Sequence, residues 1–146
     1  MNEGKIGVQV SARNNTGGNR NKGQENRRGE MLDVAARIFS HQGYAGTSIR
    51  DIAREVGVQP SSLYYFFKSK EDLFVAVYEK GVNEIVNAVT KATTKAGTPW
   101  ARLERAATGH LEALLARDDY NTLVASIVPR GSTDFDRRLV QNRDDY

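Results

Sequence analysis

The stretch 47–73, TSIRDIAREVGVQPSSLYYFFKSKEDL, leaves little freedom in how it can fold. Thr47 and Ser48 can cap a helix start, and Asp51 stands three residues after Ser48, as a reciprocal capping pair requires. Ile49, Ile52, Ala53 and Val56 then recur at i, i+3, i+4 and i+7, which is one apolar helix face. Gly57 follows at once, where a helix end favours a glycine. Val58 and Gln59 lead to Pro60, whose missing N–H costs nothing in the first turn of a new helix. This second helix is predicted over 60–67. Ser69 caps a third, with Glu71 and Asp72 in its first turn, favourable to the helix dipole. Helix, glycine turn and short helix together make a helix-turn-helix pattern.

Around this stretch the rest of the chain reads as helical too. Residues 29–42 carry a stripe of Leu32, Ala35, Ala36 and Phe39, widened by Met31, Val34 and Ile38 and ended by Gly43. A long helix is predicted over 70–95 on the rhythm Leu73, Phe74, Val77, Tyr78, Val82, Ile85, Val86, Val89 and Ala92. Gly81 lies inside it, where glycine costs about 1 kcal/mol against alanine and favours a local bend. Thr98 as cap and Pro99 in the first turn open a fifth helix to residue 117. Its expected inward face is Trp100, Leu103, Ala107, His110, Leu111, Leu114 and Leu115. Residues 120–128, YNTLVASIV, have the β-branched content of a strand but no partner strand, so a short helix is expected. A last helix is expected from 132–134 onward through Leu139, with no stop signal before Tyr146. The fold class is therefore all-α.

Charge and composition bear on partners. The formal net charge is +3. Residues 1–73 hold 11 Lys and Arg against 8 Asp and Glu, whereas 74–146 hold 10 of each. The excess lies beside the helix-turn-helix, which fits phosphate attraction. Residues 1–27 are rich in Asn, Gly and charge and hold too little apolar surface to offset ordering entropy, so they read as a disordered basic tail. Two readings of that tail stay open: a solvated leader, which the composition favours, and an arm touching the minor groove or the backbone. With no cysteine and only His41 and His110, no metal site is expected. No apolar run approaches the ~20 residues of a membrane span, and no secretory signal is visible, so a soluble cytoplasmic protein is the expectation. Nothing resembles a nucleophile elbow, a phosphate loop or another catalytic constellation. His110 and Glu112 are i, i+2 and do not share a helix face.

The segment 28–74 closely resembles the N-terminal domain of TetR-family transcriptional regulators. The resemblance rests on the paired alanines Ala35 and Ala36, on Phe39, on Gly43-Tyr44 and Thr47-Ser48, on Ile52-Ala53 and Gly57-Val58, and on Leu63-Tyr64, Phe67 and Ser69-Lys70-Glu71. It implies a bacterial regulator acting at the nucleoid, with double-stranded DNA as partner and no cofactor. It also implies DNA contacts at the positions of Thr47, Ser48, Arg50, Gln59, Pro60, Ser61, Ser62, Tyr64, Tyr65, Phe66 and Lys70. Physical chemistry divides these roles. Thr47, Ser48 and Lys70 stand at helix N-termini that suit a phosphate, and Tyr64 and Tyr65 offer phenol donors to the backbone. Arg50, Gln59, Ser61 and Ser62 are candidates for base edges. Two positions depart from the family pattern. Pro60 offers only apolar contact, as to a thymine methyl, and Phe66 replaces a frequent histidine.

The resemblance further implies that 75–146 is a partial helical regulatory domain. Tyr78, Val82, Trp100, Leu103, His110, Leu111, Leu114 and Leu123 are candidates to line a cavity for a small apolar effector, with plain helix–helix core as the alternative for each. The closing run FDRRLVQNRDDY is similar to members that sense acyl-CoA thioesters. Relatives dimerise through later helices, so a homodimer is expected, while the helices that would form it are expected to be missing. Two functions follow: a ligand-responsive repressor on a palindromic operator, or a shortened relative acting only through protein–protein contact.

Overall fold

The computed structural model describes residues 17–116, 118–127 and 137–139. Every regular element among them is helical: α1 (Gly17–Gly46), α2 (Ile49–Val56), α3 (Pro60–Phe66), α4 (Lys70–Thr93), α5 (Pro99–Leu115) and α6 (Asp119–Ser126), with a further turn at 137–139. The expected all-α class holds. The expected ends of the final helix lie outside the described residues.

Capping chemistry sets most boundaries. Ser48 Oγ accepts from the Asp51 amide while the Asp51 carboxylate accepts from the Ser48 amide, completing the capping box of α2. Gly57 closes α2 at φ 76°, a left-handed conformation that a Cβ would strain. Ser69, Thr98 and Asp118 cap α4, α5 and α6 in the same way. At Gly43 the backbone swings to φ 72°, ending the main run of α1 as the sequence implies. The β-branched run forms a helix as far as Ser126, because Asp118 caps it and Tyr120 and Leu123 find a core to enter.

Three helices make the head. Met31, Leu32, Ala35, Ala36 and Phe39 of α1 pack on Ile49, Ile52 and Ala53 of α2 and on Leu63 of α3. Leu73, Phe74 and Val77 of α4 close this core from behind. Phe74 meets Phe39 and Tyr44 edge-on at 4.9 and 5.0 Å between centroids, an arrangement that ring quadrupoles favour. Behind the head, α4 carries α5 and α6, and α6 also lies directly on α1.

Three expectations need correction. First, α1 begins at Gly17, so 17–27 is helical where composition implied a disordered tail. The segment has no core of its own and gains its contacts from α3: Arg28 stacks over the Phe67 ring and Gln24 reaches Tyr65. Second, what Gly81 marks is a close approach between helices. A Cβ there would lie 2.7 Å from a Val124 methyl and 3.2 Å from the Tyr120 carbonyl, so glycine lets α6 cross α4. Third, α5 is turned from the expected face, of which only His110 and Leu114 still look toward α4 and α6. It meets α4 through Gly109, where a Cβ would come 3.0 Å from that of Ala92. This small-residue contact turns Trp100, Leu103, Leu111 and Leu115 out to solvent.

Candidate nucleic-acid interface

The helix-turn-helix presents one short helix outward. Its inner row, Leu63 with the following Phe67, is buried in the head core. Its outer row, Ser61 and Tyr65 at i and i+4, is exposed, as is Tyr64 beside it. Tyr65 is 74 % exposed and stands edge-on to Phe66 at 5.0 Å. Phe66 is half-buried and also lies against Phe67, so it buttresses Tyr65. Pro60 and Ser62 are half-buried, while Arg50 and Gln59 are exposed. Gln59 caps α3 by backbone position only, and its amide side chain makes no cap bond.

The two helix-start hydroxyls part company. Ser48 is exposed, and its hydroxyl also donates to the Asp51 carboxylate at 2.5 Å. That hydroxyl holds the Asp51 carboxyl below its ordinary value of 3.8, aided by the Ser48 amide and by Arg54. Thr47 is buried, and its hydroxyl donates to the Gly43 carbonyl at 2.8 Å. Its own carbonyl accepts from Lys70 Nζ at 2.8 Å. The same ammonium sits 4.0 Å from the centroid of the Tyr44 ring, a cation–π contact. Lys70 thus ties the start of α4 to the α1–α2 turn. Thr47 and Lys70 hold the frame, while Ser48, Arg50, Gln59, Ser61, Tyr64 and Tyr65 are open to a partner.

Sequence reasoning missed Asn21 and Gln24. They border a recess of about 360 Å³ between α1 and α3, together with Glu25, Arg28, Tyr65 and Phe66. From sequence, only the reading of the basic tail as an arm touching DNA pointed there.

Behind the head lies an apolar cavity of about 420 Å³ between α4, α5 and α6. Of the eight sequence candidates, Tyr78, Val82, His110 and Leu114 line it, joined by Ile85, Val86, Val89, Thr90 and Val124. Leu123 is in the core, and Trp100, Leu103 and Leu111 face solvent. No cluster of metal-ligating side chains occurs among the described residues.

Residues 31–77 match the model for the tetR family of bacterial regulatory proteins. The chain is 44% identical over 62 residues to the HTH-type transcriptional regulator AcrR of Shigella flexneri, covering 42% of this chain and 28% of that protein. It is 23% identical over 103 residues to the fatty acid metabolism regulator protein of Bacillus subtilis, covering 70% and 53%. The solved ketosteroid transcriptional regulator KstR2 of Mycobacterium tuberculosis shares the fold, with a TM-score of 0.68 at 22% identity over 94% of this chain and 65% of its own. The chain spans about half or less of the length of the curated relatives it matches. Matched motif and capped helix-turn-helix agree: residues 31–77 of this chain are an N-terminal DNA-binding head of the tetR family of bacterial regulatory proteins.

Proposed function

We propose that the chain is a sequence-specific DNA-binding repressor that acts in the cytoplasm, at the nucleoid, and reads a palindromic operator as a homodimer through α3. The outward row Ser61–Tyr65, on a helix rigidly backed by the head core, carries this reading. An α-helix of this kind fits the major groove, and two heads one helical turn apart read the two half-sites. Gln59, Ser61 and Arg50 take base edges; Tyr64, Tyr65 and Ser48 take the backbone. The test is footprinting of the full chain on the region upstream of its own gene. A protected palindrome supports the reading, and uniform binding that ignores sequence contradicts it.

The effector in this reading is a small molecule with an extended apolar body and one polar group. The cavity walls are aliphatic apart from Tyr78, Thr90 and His110, a lining that orients such a ligand by one end. Fatty acids and ketosteroids are the classes to assay first, since the names of the two relatives above mention fatty acid metabolism and ketosteroids; acyl-CoA thioesters join them on the similarity of the closing run. Release of the footprint by one of them is the expected result.

A second reading rests on α5. Its exposed row of Trp100, Leu103, Leu111 and Leu115 is a surface for another protein, and on this view the chain acts by pairing with a full-length regulator of the family. Co-expression followed by light scattering separates the two: a mixed complex that no longer protects DNA favours pairing.

A further inference from the structure

We propose that the forward extension of α1, residues 21–28, is a second DNA contact, gripping phosphates beside the groove that α3 reads. The proposal rests on the DNA-binding reading above and lies outside the segment matched to the family, which starts at residue 31.

Four observations carry it. The extension is helical back to Gly17, so at 1.5 Å per residue it projects roughly 15 Å ahead of Arg28. It is held to the reading helix itself: Gln24 Nε2 lies 3.5 Å from the Tyr65 hydroxyl, and the Arg28 guanidinium stacks 5.2 Å from the Phe67 ring centroid. It therefore continues the surface that ends at Tyr65. Lys22, Arg27 and Arg28 are exposed, and none pairs with a carboxylate among the described residues, so their charge is available to a polyanion. Finally, the run 17–28, GGNRNKGQENRR, has no apolar side chain, which gives a protein or a membrane nothing to bury. Amides at Asn21 and Gln24, with cations at Lys22 and Arg27, are the donor set of a phosphate contact.

The glycines add a second handle. A Cβ at Gly23 would meet no atom within 4 Å, so that glycine is not required by packing. It only loosens the helix. Without DNA the extension is a weak helix, and stiffening it should strengthen binding.

The test uses fluorescence anisotropy of the full chain on two labelled duplexes, one from the region upstream of its gene and one scrambled. In the double variant Lys22→Ala/Arg27→Ala, affinity at ~0.1 M salt falls about tenfold or more on both duplexes. The slope of log affinity against log salt becomes shallower by about 2, since each lost phosphate contact removes about 0.9. In Gly23→Ala affinity rises about fivefold, the equivalent of the ~1 kcal/mol that separates alanine from glycine in a helix. Circular dichroism of both variants checks that the head stays folded. Unchanged affinity and slope in both variants, with the wild type still preferring its own duplex, would overturn this contact and leave α3 as the reader. A loss confined to one duplex would also overturn it, because a phosphate grip ignores sequence. A wild type with no preference removes the DNA reading and this inference together.

Discussion

Ser48 has a hydroxyl that serves the fold and, under the proposed function, also faces DNA. It closes the capping box of α2 and is still exposed where a phosphate would come. Ser48→Ala should cost about 1 kcal/mol in urea unfolding, the usual worth of a cap. Ser48→Asp keeps an oxygen for the Asp51 amide but loses the donor to the Asp51 carboxylate and sets a second carboxylate beside it, so it should also lose stability, and its negative charge set against the DNA backbone should weaken binding to any duplex. Equal DNA binding by wild type and Ser48→Asp would remove Ser48 from the interface. Thr47, by contrast, has spent its hydroxyl on the Gly43 carbonyl, and its neighbouring position in sequence gave no hint of that. A cap position is legible from residue order, whereas burial depends on how Lys70 and Tyr44 close over the turn.

Tyr120 and Asp33 are a second residue-level joint. Asp33 Oδ1 accepts from both the Tyr120 hydroxyl and Lys80 Nζ at 2.7 Å, and Lys80 also lies over the Tyr120 ring. Partial burial works against the Asp33 carboxylate, but the bonds from Lys80 and Tyr120 outweigh it and hold its pKa below the ordinary 3.8. Burial first, and then the bond to Asp33, drive the Tyr120 phenol well above its ordinary value of 10.0. The signs are opposite. A depressed carboxyl stabilises the fold above about pH 4 and loses that contribution as pH falls through its folded value. A raised phenol stabilises it below about pH 10 and loses that contribution as pH rises further. Tyr120→Phe should cost about 1 kcal/mol at neutral pH and flatten the alkaline fall in stability between pH 10 and 12. An unchanged alkaline limb in the variant would contradict the joint.

Among the elements, α2, α3 and the start of α4 were legible because glycine, proline and capping residues punctuate them. The period of α5 was equally clear, yet its orientation was not. Hydrophobic periodicity finds the larger apolar row and cannot tell that Gly109 and Ala92 offer a closer approach. The extension of α1 was hidden for a related reason: its contacts are amide and cation–π contacts to a helix 40 residues away, which leave no apolar period. Gly81 belongs to the same class. Gly81→Ala adds a helix-favouring methyl but drives it into Val124 and the Tyr120 backbone. Overpacking of this kind costs about 1–3 kcal/mol and should exceed the gain of about 1 kcal/mol in propensity. Thermal unfolding should show a net loss; a net gain would mean that α6 does not press on α4 there.

At the scale of the molecule, α6 connects the cavity to the head. Val124 lines the cavity, and one turn earlier Tyr120 grips Asp33 of α1. Asp119 accepts from Ser40 of α1 at 2.8 Å. Outside α6, Arg138 of the 137–139 turn pairs with Glu71 and Asp72 in the first turn of α4. Under the proposed function, a ligand that displaces α6 would pull on α1 of the head, coupling effector and DNA through α6 as well as α4. The account stands first on α3 as the reader of sequence. The most direct measurement is the affinity of the full chain and of Gln59→Ala and Tyr65→Ala for the footprinted duplex and for its scrambled counterpart. The account predicts that the wild type prefers its own duplex, that Gln59→Ala loses most of this preference, and that Tyr65→Ala weakens both duplexes alike. Equal affinity of the wild type for the two duplexes, or a preference untouched by Gln59→Ala and by any change on the exposed row of α3, would contradict it.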